Sequence, residues 1–377
     1  MSSNLRMATT SPLIDLEKSA GAKFVEVALP GPAGQSGAAR IASAFSTLEE
    51  ECRAVREAVG LMDLCQRGKI EITGPDRVRF LNGQVTNDVK KLAPGRGCYA
   101  CALDYKGALV GDMKIYAHPD CLLMDTSEAA SGKLLDHFIR FAISDEVEIM
   151  DKSPDIAHLA LHGPAAPPLL NKLTGRDLSS LRHLEFTNEL IAGGPVEVSR
   201  QDYLGEAGFD LITPSAHAGA VWQSCFAEGS AWGLRPVGYE AFNVLRIEAG
   251  TPIFGIDMTE EHLPLEANLM SAISTDKGCY TGQEVVARIM NRGHVNRLLC
   301  GLALEGSRIP SRGEKIFSGG KVVGEITSAA YSPTLHQVIA LGYIPSTKSQ
   351  PGERFYVGEA DSSVSAVVAA LPFYPGN

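Results

Sequence analysis

From about residue 296 the chain changes character. Short β-prone runs at 297–304, 314–317, 320–327, 337–343, 353–357 and 363–369 alternate with turns rich in glycine, proline and serine. Six strands at that spacing predict a small antiparallel barrel or sandwich. What precedes is mixed. Ser46 and Glu49 have the spacing of a capping box, Leu48, Cys52, Val55 and Val59 form one apolar stripe, and Gly60 is a stop, so a helix is expected there. Lys69–Thr73 reads as a strand and Asp76–Leu81 as a short helix. Cys98–Leu103 and Leu109–Tyr116 form a hairpin about Asp104-Tyr105-Lys106-Gly107, and Ser127 caps a helix carrying Leu134, Leu135, Phe138 and Phe141. Further strands are expected near 145–150, 156–162, 195–200 and 208–213, with helices near 164–173, 215–228 and 237–248. Residues 28–44, small and almost uncharged, read as a loop. The alternation is not a βαβ series and no GxGxxG opens a helix, which excludes a dinucleotide-binding fold. The expected class is α+β. A segment 1–45 precedes a body at 46–290, which divides near 150, and a β-domain follows at 291–377.

The 377 residues include 34 Lys and Arg against 44 Asp and Glu, a net charge of −10. That balance argues against broad binding to nucleic acid or anionic membranes, both of which need a positive field. No apolar run reaches the roughly 18 residues of a membrane span, and Met1–Thr10 lacks the apolar region of a signal peptide. Eight scattered cysteines suit reduced thiols, and the expected location is cytoplasmic. Cys98 and Cys101 form one close pair, but i and i+3 on a strand face opposite ways, so no metal site is expected. His158 and His162 are read as structural.

Three segments could carry chemistry. In Lys277-Gly278-Cys279-Tyr280-Thr281-Gly282-Gln283-Glu284, two glycines permit a sharp turn and Lys277 could favour a Cys279 thiolate; residue types alone leave open a buried, inert thiol. Asp112 interrupts an apolar strand and faces either solvent or a cavity, where it could accept a proton or stabilise a cationic nitrogen. In the segment from Tyr203 to Asp210, the final carboxylate could receive paired N–H donors from a heterocycle or merely cap a turn.

The block KGCYTGQEVVARIMNRGHVNR (277–297) resembles the signature of the YgfZ-type folate-binding proteins, which assist iron–sulfur proteins. The stretches SPLIDLEKSAGAKFVEV (11–27), REAVGLMDLCQRGKIEITGPD (56–76), QVTNDV (84–89), LRIEAGTPIFGID (245–257) and SPTLHQVIALGY (332–343) resemble the wider glycine-cleavage T-protein (aminomethyltransferase) superfamily. The resemblance implies three domains in a ring around a cavity that holds tetrahydrofolate, the third being a β-barrel. It places Asp112 where the T-protein keeps a catalytic aspartate, beside the folate nitrogen that carries the one-carbon unit. Asp210 falls where the family grips the pterin with a glutamate, and Tyr203, Lys277, Tyr280, Gln283 and Glu284 complete the expected folate-binding set.

Departures from the T-protein pattern favour the YgfZ-like branch. Phe242 stands where the T-protein has an arginine that helps hold folate, and losing such a contact weakens it about 100-fold. Cys279-Tyr280-Thr281-Gly282-Gln283-Glu284 replaces Asp-Phe-Ile-Gly-Arg-Glu. The segment after Val27 lacks the family's aromatic residues, and the tail beyond Pro372-Phe373-Tyr374 lacks the terminal tyrosine. The expected function is therefore a tetrahydrofolate-binding accessory protein for iron–sulfur cluster assembly or repair. It would use Cys279 and Asp112, with iron–sulfur or cluster-assembly proteins as partners, and would support tRNA modification without touching nucleic acid. The alternatives are an aminomethyltransferase and a non-catalytic scaffold.

Overall fold

The computed structural model describes residues 11–30, 36–359 and 363–376. Two larger sheets and a barrel organise them. The first sheet runs Arg96–Leu103, Leu109–Ala117, Leu122–Thr126, Gly68–Thr73, Glu148–Asp151, each strand antiparallel to its neighbours. Ile70, Ile72, Met113, Ile115 and Met124 lie in one buried cluster with Leu134 and Phe138 of the helix Glu128–Phe141, which Ser127 caps. Because side chains alternate along a strand, Lys69, Asp112, Lys114 and Asp125 are left on the opposite face. The register puts Tyr99 opposite Lys114, Lys114 opposite Asp125 and Asp125 opposite Lys69, a single polar row across four strands.

The second sheet runs Phe186–Ile191, Gly194–Gln201, Gly208–Pro214, Ile156–His162, Val59–Asp63, Leu234–Pro236, with only the last pair parallel. Here Leu159, Leu161, Phe209 and Leu211 enter a second core, which turns His158, His162 and Asp210 to the other side. The strands Arg297–Leu304, Gln337–Pro345, Lys321–Ser332, Lys315–Ser318, Arg354–Val357 and Val364–Ala369 close a six-stranded barrel in that order, filled by Leu302, Ile316, Ile326, Val338, Phe355 and Val368. The molecule is thus α+β with a C-terminal antiparallel barrel, as expected. Among the described residues no helix is long and apolar enough to cross a membrane.

Local corrections have physical causes. The expected loop 28–44 falls largely in a hairpin of Lys23–Pro30 with Ser36–Ala44; residues 31–35 lie outside the described set. Alanine, serine and glycine are weak strand formers, and here the pairing itself supplies the order. The helix begins at Leu48 and ends at Glu57, with Thr47 and Glu50, not Ser46 and Glu49, forming the capping box. Gly60 does not stop that helix. It lies in Val59–Asp63, where an added Cβ would meet the side chains of Val55 and Val237 at 2.6 and 2.7 Å. Leu122–Thr126, buried throughout, has no polar alternation by which to be read.

Candidate active site

The polar faces of the two sheets meet, and a cavity of about 500 Å³ opens beside their junction. The first sheet lines it with Tyr99, Asp112, Lys114 and Asp125. Gln201 and Tyr203 come from the second sheet and its following turn, Phe242 and Arg246 from the helix Tyr239–Glu248, and Arg67 and Asn87 from loops. A neighbouring chamber of about 480 Å³ shares Leu64, Arg67, Ser127, Phe242, Ile253 and Phe254 with it. Each volume falls in the range of roughly 300–1,000 Å³ typical of small-molecule sites.

Asp112 is held there on one side only. Its Oδ2 accepts a 2.8 Å hydrogen bond from the Tyr99 hydroxyl, while Oδ1 is buried with no partner among the described residues. Burial raises its pKa, partly countered by the Tyr99 hydrogen bond and the Arg67 charge. Burial and the Asp112 charge push the Tyr99 phenol well above its ordinary range, so Tyr99 stays a donor. An uncompensated carboxylate oxygen is costly in such a place, and a ligand N–H would relieve it.

Asp210 takes a different position from the one expected. It is 1% exposed, and its carboxylate is held by Lys114 Nζ at 3.2 Å, the Tyr203 hydroxyl at 3.1 Å and His158 Nε2 at 3.2 Å. Lys114 and Tyr203 line the cavity, and Asp210 stands behind them as their anchor, each of its carboxylate oxygens already accepting a hydrogen bond from one of the two. Burial works to raise its pKa, but Lys114 and His158 outweigh that and hold it below the ordinary carboxylate value. His158, read from sequence as merely structural, therefore belongs to a charged network. That network continues through Asp125, whose carboxylate takes Arg67 at 2.7–3.1 Å and Lys69 at 2.9 Å. Lys114 Nζ also sits 4.3 Å from the centre of the Tyr203 ring, a cation–π contact.

Arg67, Tyr99, Lys114 and Asp125 were not singled out in the sequence. Lys114 could have been, since it stands two residues from Asp112 on a strand and must share its face. Arg67 lies in a loop with no pattern to mark it.

The Lys277–Glu284 segment does not line the cavity. Lys277 Nζ donates to the carbonyls of Asn82, Val85 and Asn87 at 2.8, 2.6 and 2.7 Å, which commits its protons to backbone and not to a Cys279 thiolate. Tyr280 is buried in the first core, with Lys277 Nζ 5.0 Å from its ring centre. Cys279 is exposed. Gln283 and Glu284 open the helix Gln283–Arg292, and only Gly282 of the two motif glycines has a left-handed backbone, φ +81°. The expectation that Lys277, Cys279, Tyr280, Gln283 and Glu284 surround the ligand is corrected on these grounds. Among the described residues no cluster of His, Cys, Asp and Glu could hold a metal ion.

His162 provides a pH test of this buried face. It is wholly buried beside Tyr203, and desolvation lowers its pKa from 6.5 to about 4. Above pH 6.5 the ring is neutral in both folded and unfolded states. As pH falls the unfolded chain takes up the proton first, so stability declines between about 6.5 and 4 and levels off below, a loss of about 3 kcal/mol. His162→Gln is expected to flatten that part of a denaturation-versus-pH curve; an unchanged slope rules the assignment out.

The comparisons with known proteins agree on one family. The GCVT N-terminal domain matches residues 13–277, and the glycine cleavage T-protein C-terminal barrel domain matches 297–375. An aminomethyltransferase of Desulforamulus reducens is 33% identical over 364 residues, covering 97% of each chain. An aminomethyltransferase of Bacillus subtilis is 32% identical over 370 residues, covering 98% of this chain and 99% of its own. The crystal structure of glycine cleavage system aminomethyltransferase T from Bartonella henselae has the same fold, with a TM-score of 0.87 at 23% identity over 98% of this chain and 99% of that one. These full-length relatives overturn the expectation of an iron–sulfur accessory protein, and they support the superfamily without singling out its YgfZ-type branch. Phe242, counted against that activity, lines the cavity together with Arg67, while the Arg246 guanidinium is committed to Asn243, Asp257 and Ser328. With both of its parts matched, the chain belongs to the glycine-cleavage T-protein family.

Proposed function

We propose that the protein is an aminomethyltransferase that uses tetrahydrofolate as its one-carbon acceptor. The observation that carries this reading is Asp112, a buried carboxylate with one unpartnered oxygen at the wall of a cavity of ligand size. In the reaction a donor sulfur bears –CH2–NH2. Two folate N–H groups give way to two N–C bonds at that carbon, the C–S and C–N bonds break, and the thiol and ammonia leave with the two protons. Asp112 faces the folate nitrogen that attacks. Its ionised form stabilises the cationic methylene–nitrogen centre that develops, and its raised pKa lets it exchange a proton with the amines involved. Tyr99 fixes its orientation. Lys114 and Tyr203, anchored by Asp210, offer a cation and an aromatic ring to the flat heterocycle. The relatives' names support the reaction type, and the adjoining chamber leaves space for the donor beside the acceptor.

The test is ammonia release from purified protein given tetrahydrofolate and a lipoyl carrier loaded with the aminomethyl group. Release that depends on both is expected, and none in their joint presence rejects the proposal. Cys279→Ala belongs in the same assay. Because that thiol is exposed and outside the cavity lining, its removal is expected to leave the rate within about twofold of the native protein; a collapse of the rate would return the thiol to the chemistry.

A further inference from the structure

Lys277 does not reach the cavity, yet it holds the chain that forms one of its walls. The helix Arg77–Gln84 ends just before the wall, and its last carbonyls have no partner within the helix. Asn82 from the last turn, Val85 from the cap and Asn87 beyond it all turn their carbonyls onto the one ammonium. Asn87 lines the cavity, and its side-chain Nδ2 donates to the carbonyls of Tyr99 at 2.8 Å and Ser271 at 3.2 Å. Tyr99 in turn orients Asp112. Between these points Thr86 Oγ1 donates to the Ala272 carbonyl at 2.6 Å, and the Ser274 amide donates to the Thr86 carbonyl at 3.0 Å. The 271–277 and 82–87 segments are thus laced together beside the cavity, with Lys277 at one end and Asn87 at the other.

We infer that Lys277 is a positioning residue for the acceptor site, acting through Asn87 and Tyr99 on the wall that carries Asp112. The inference rests on the proposed folate reading. A helix end could be capped by one donor, but here the third carbonyl belongs to a residue of the cavity itself, which couples the cap to the site. Burial lowers the Lys277 pKa to about 8, against the favourable charge of Asp88, so the ammonium is kept in place at some desolvation cost.

A double-mutant cycle with Lys277→Met and Asn87→Ala tests this, with tetrahydrofolate affinity measured by calorimetry per folded molecule. Lys277→Met is expected to weaken binding about tenfold. Asn87→Ala also weakens it, and the pair together loses no more than about twofold beyond the worse single variant, because both break one linkage. Overturning results are a Lys277→Met protein that binds folate within twofold of native, whatever its melting temperature, or penalties that simply multiply. Should Lys277→Met fail to fold, Lys277→Gln, which offers two donors and a shorter reach to the three carbonyls and so breaks part of the linkage, replaces it in the cycle and the same results decide. A native protein that binds no folate rejects the functional proposal and this inference together, whereas native binding with an indifferent Lys277 rejects this inference alone.

Discussion

Asp112→Asn is expected to cut folate-dependent ammonia release by roughly 10²–10⁴-fold while changing tetrahydrofolate affinity by no more than about threefold, because the amide keeps the shape and loses both the charge and the exchangeable acid proton. The Tyr99 hydroxyl can still donate to the amide oxygen, so the wall keeps its geometry. The loss therefore falls on the rate at saturating folate and not on the Michaelis constant. The pH profile supplies a second check. Burial raises the Asp112 pKa above its ordinary 3.8, so the acid limb of the native rate profile is expected above that value and disappears in the variant. An Asp112→Asn enzyme retaining a tenth or more of the native rate would remove the carboxylate from the chemistry and leave the cavity without an assigned acid or base.

Asp125→Ala should be the most destabilising change at this site. The carboxylate receives Arg67, which is partly exposed at the cavity, and Lys69, which is kept from water: Lys69 is 1% exposed and its pKa is lowered by burial. Desolvation works to raise the pKa of Asp125 itself, and Arg67 and Lys69 overcome it. Removing one partner of such a buried pair leaves charge uncompensated, and about 3–5 kcal/mol is the usual penalty. Urea denaturation measures it. The reason for the loss is separable from cavity formation by adding Lys69→Met, which removes one of the stranded cations. The double variant is expected to recover at least about 1 kcal/mol. A single variant that loses less than about 1 kcal/mol, or a double variant weaker than the single, would mean that solvent already screens the network.

Within the fold, the elements legible in sequence are those whose side-chain period reports a single buried face. The hairpin around residues 104–107, the Ser127-capped helix and the six barrel strands belong here, because one face is apolar and the turns carry glycine or proline. Val59–Asp63 and Leu122–Thr126 are covered on both sides, so neither shows alternation. Asp112 stood out because one carboxylate broke an apolar strand. Arg67 and Asp125 did not, since their meaning comes only from each other.

The motif around Cys279 shows the limit from the other side. Its residue types permit a reactive thiol, and a sequence cannot say where an ammonium points. Three backbone carbonyls, brought together from residues 82–87, take Lys277 away from that sulfur. The amino-acid order alone determined the α+β class, an antiparallel β-domain at the C-terminal end and the non-core face on which Asp112 lies, because hydrophobic period acts over a few neighbours. Only the tertiary structure decided that Asp210 anchors Lys114 and Tyr203 from behind, and that the conspicuous thiol stands apart from the cavity. Charge pairing and burial depend on residues distant in the chain, and no local pattern encodes them.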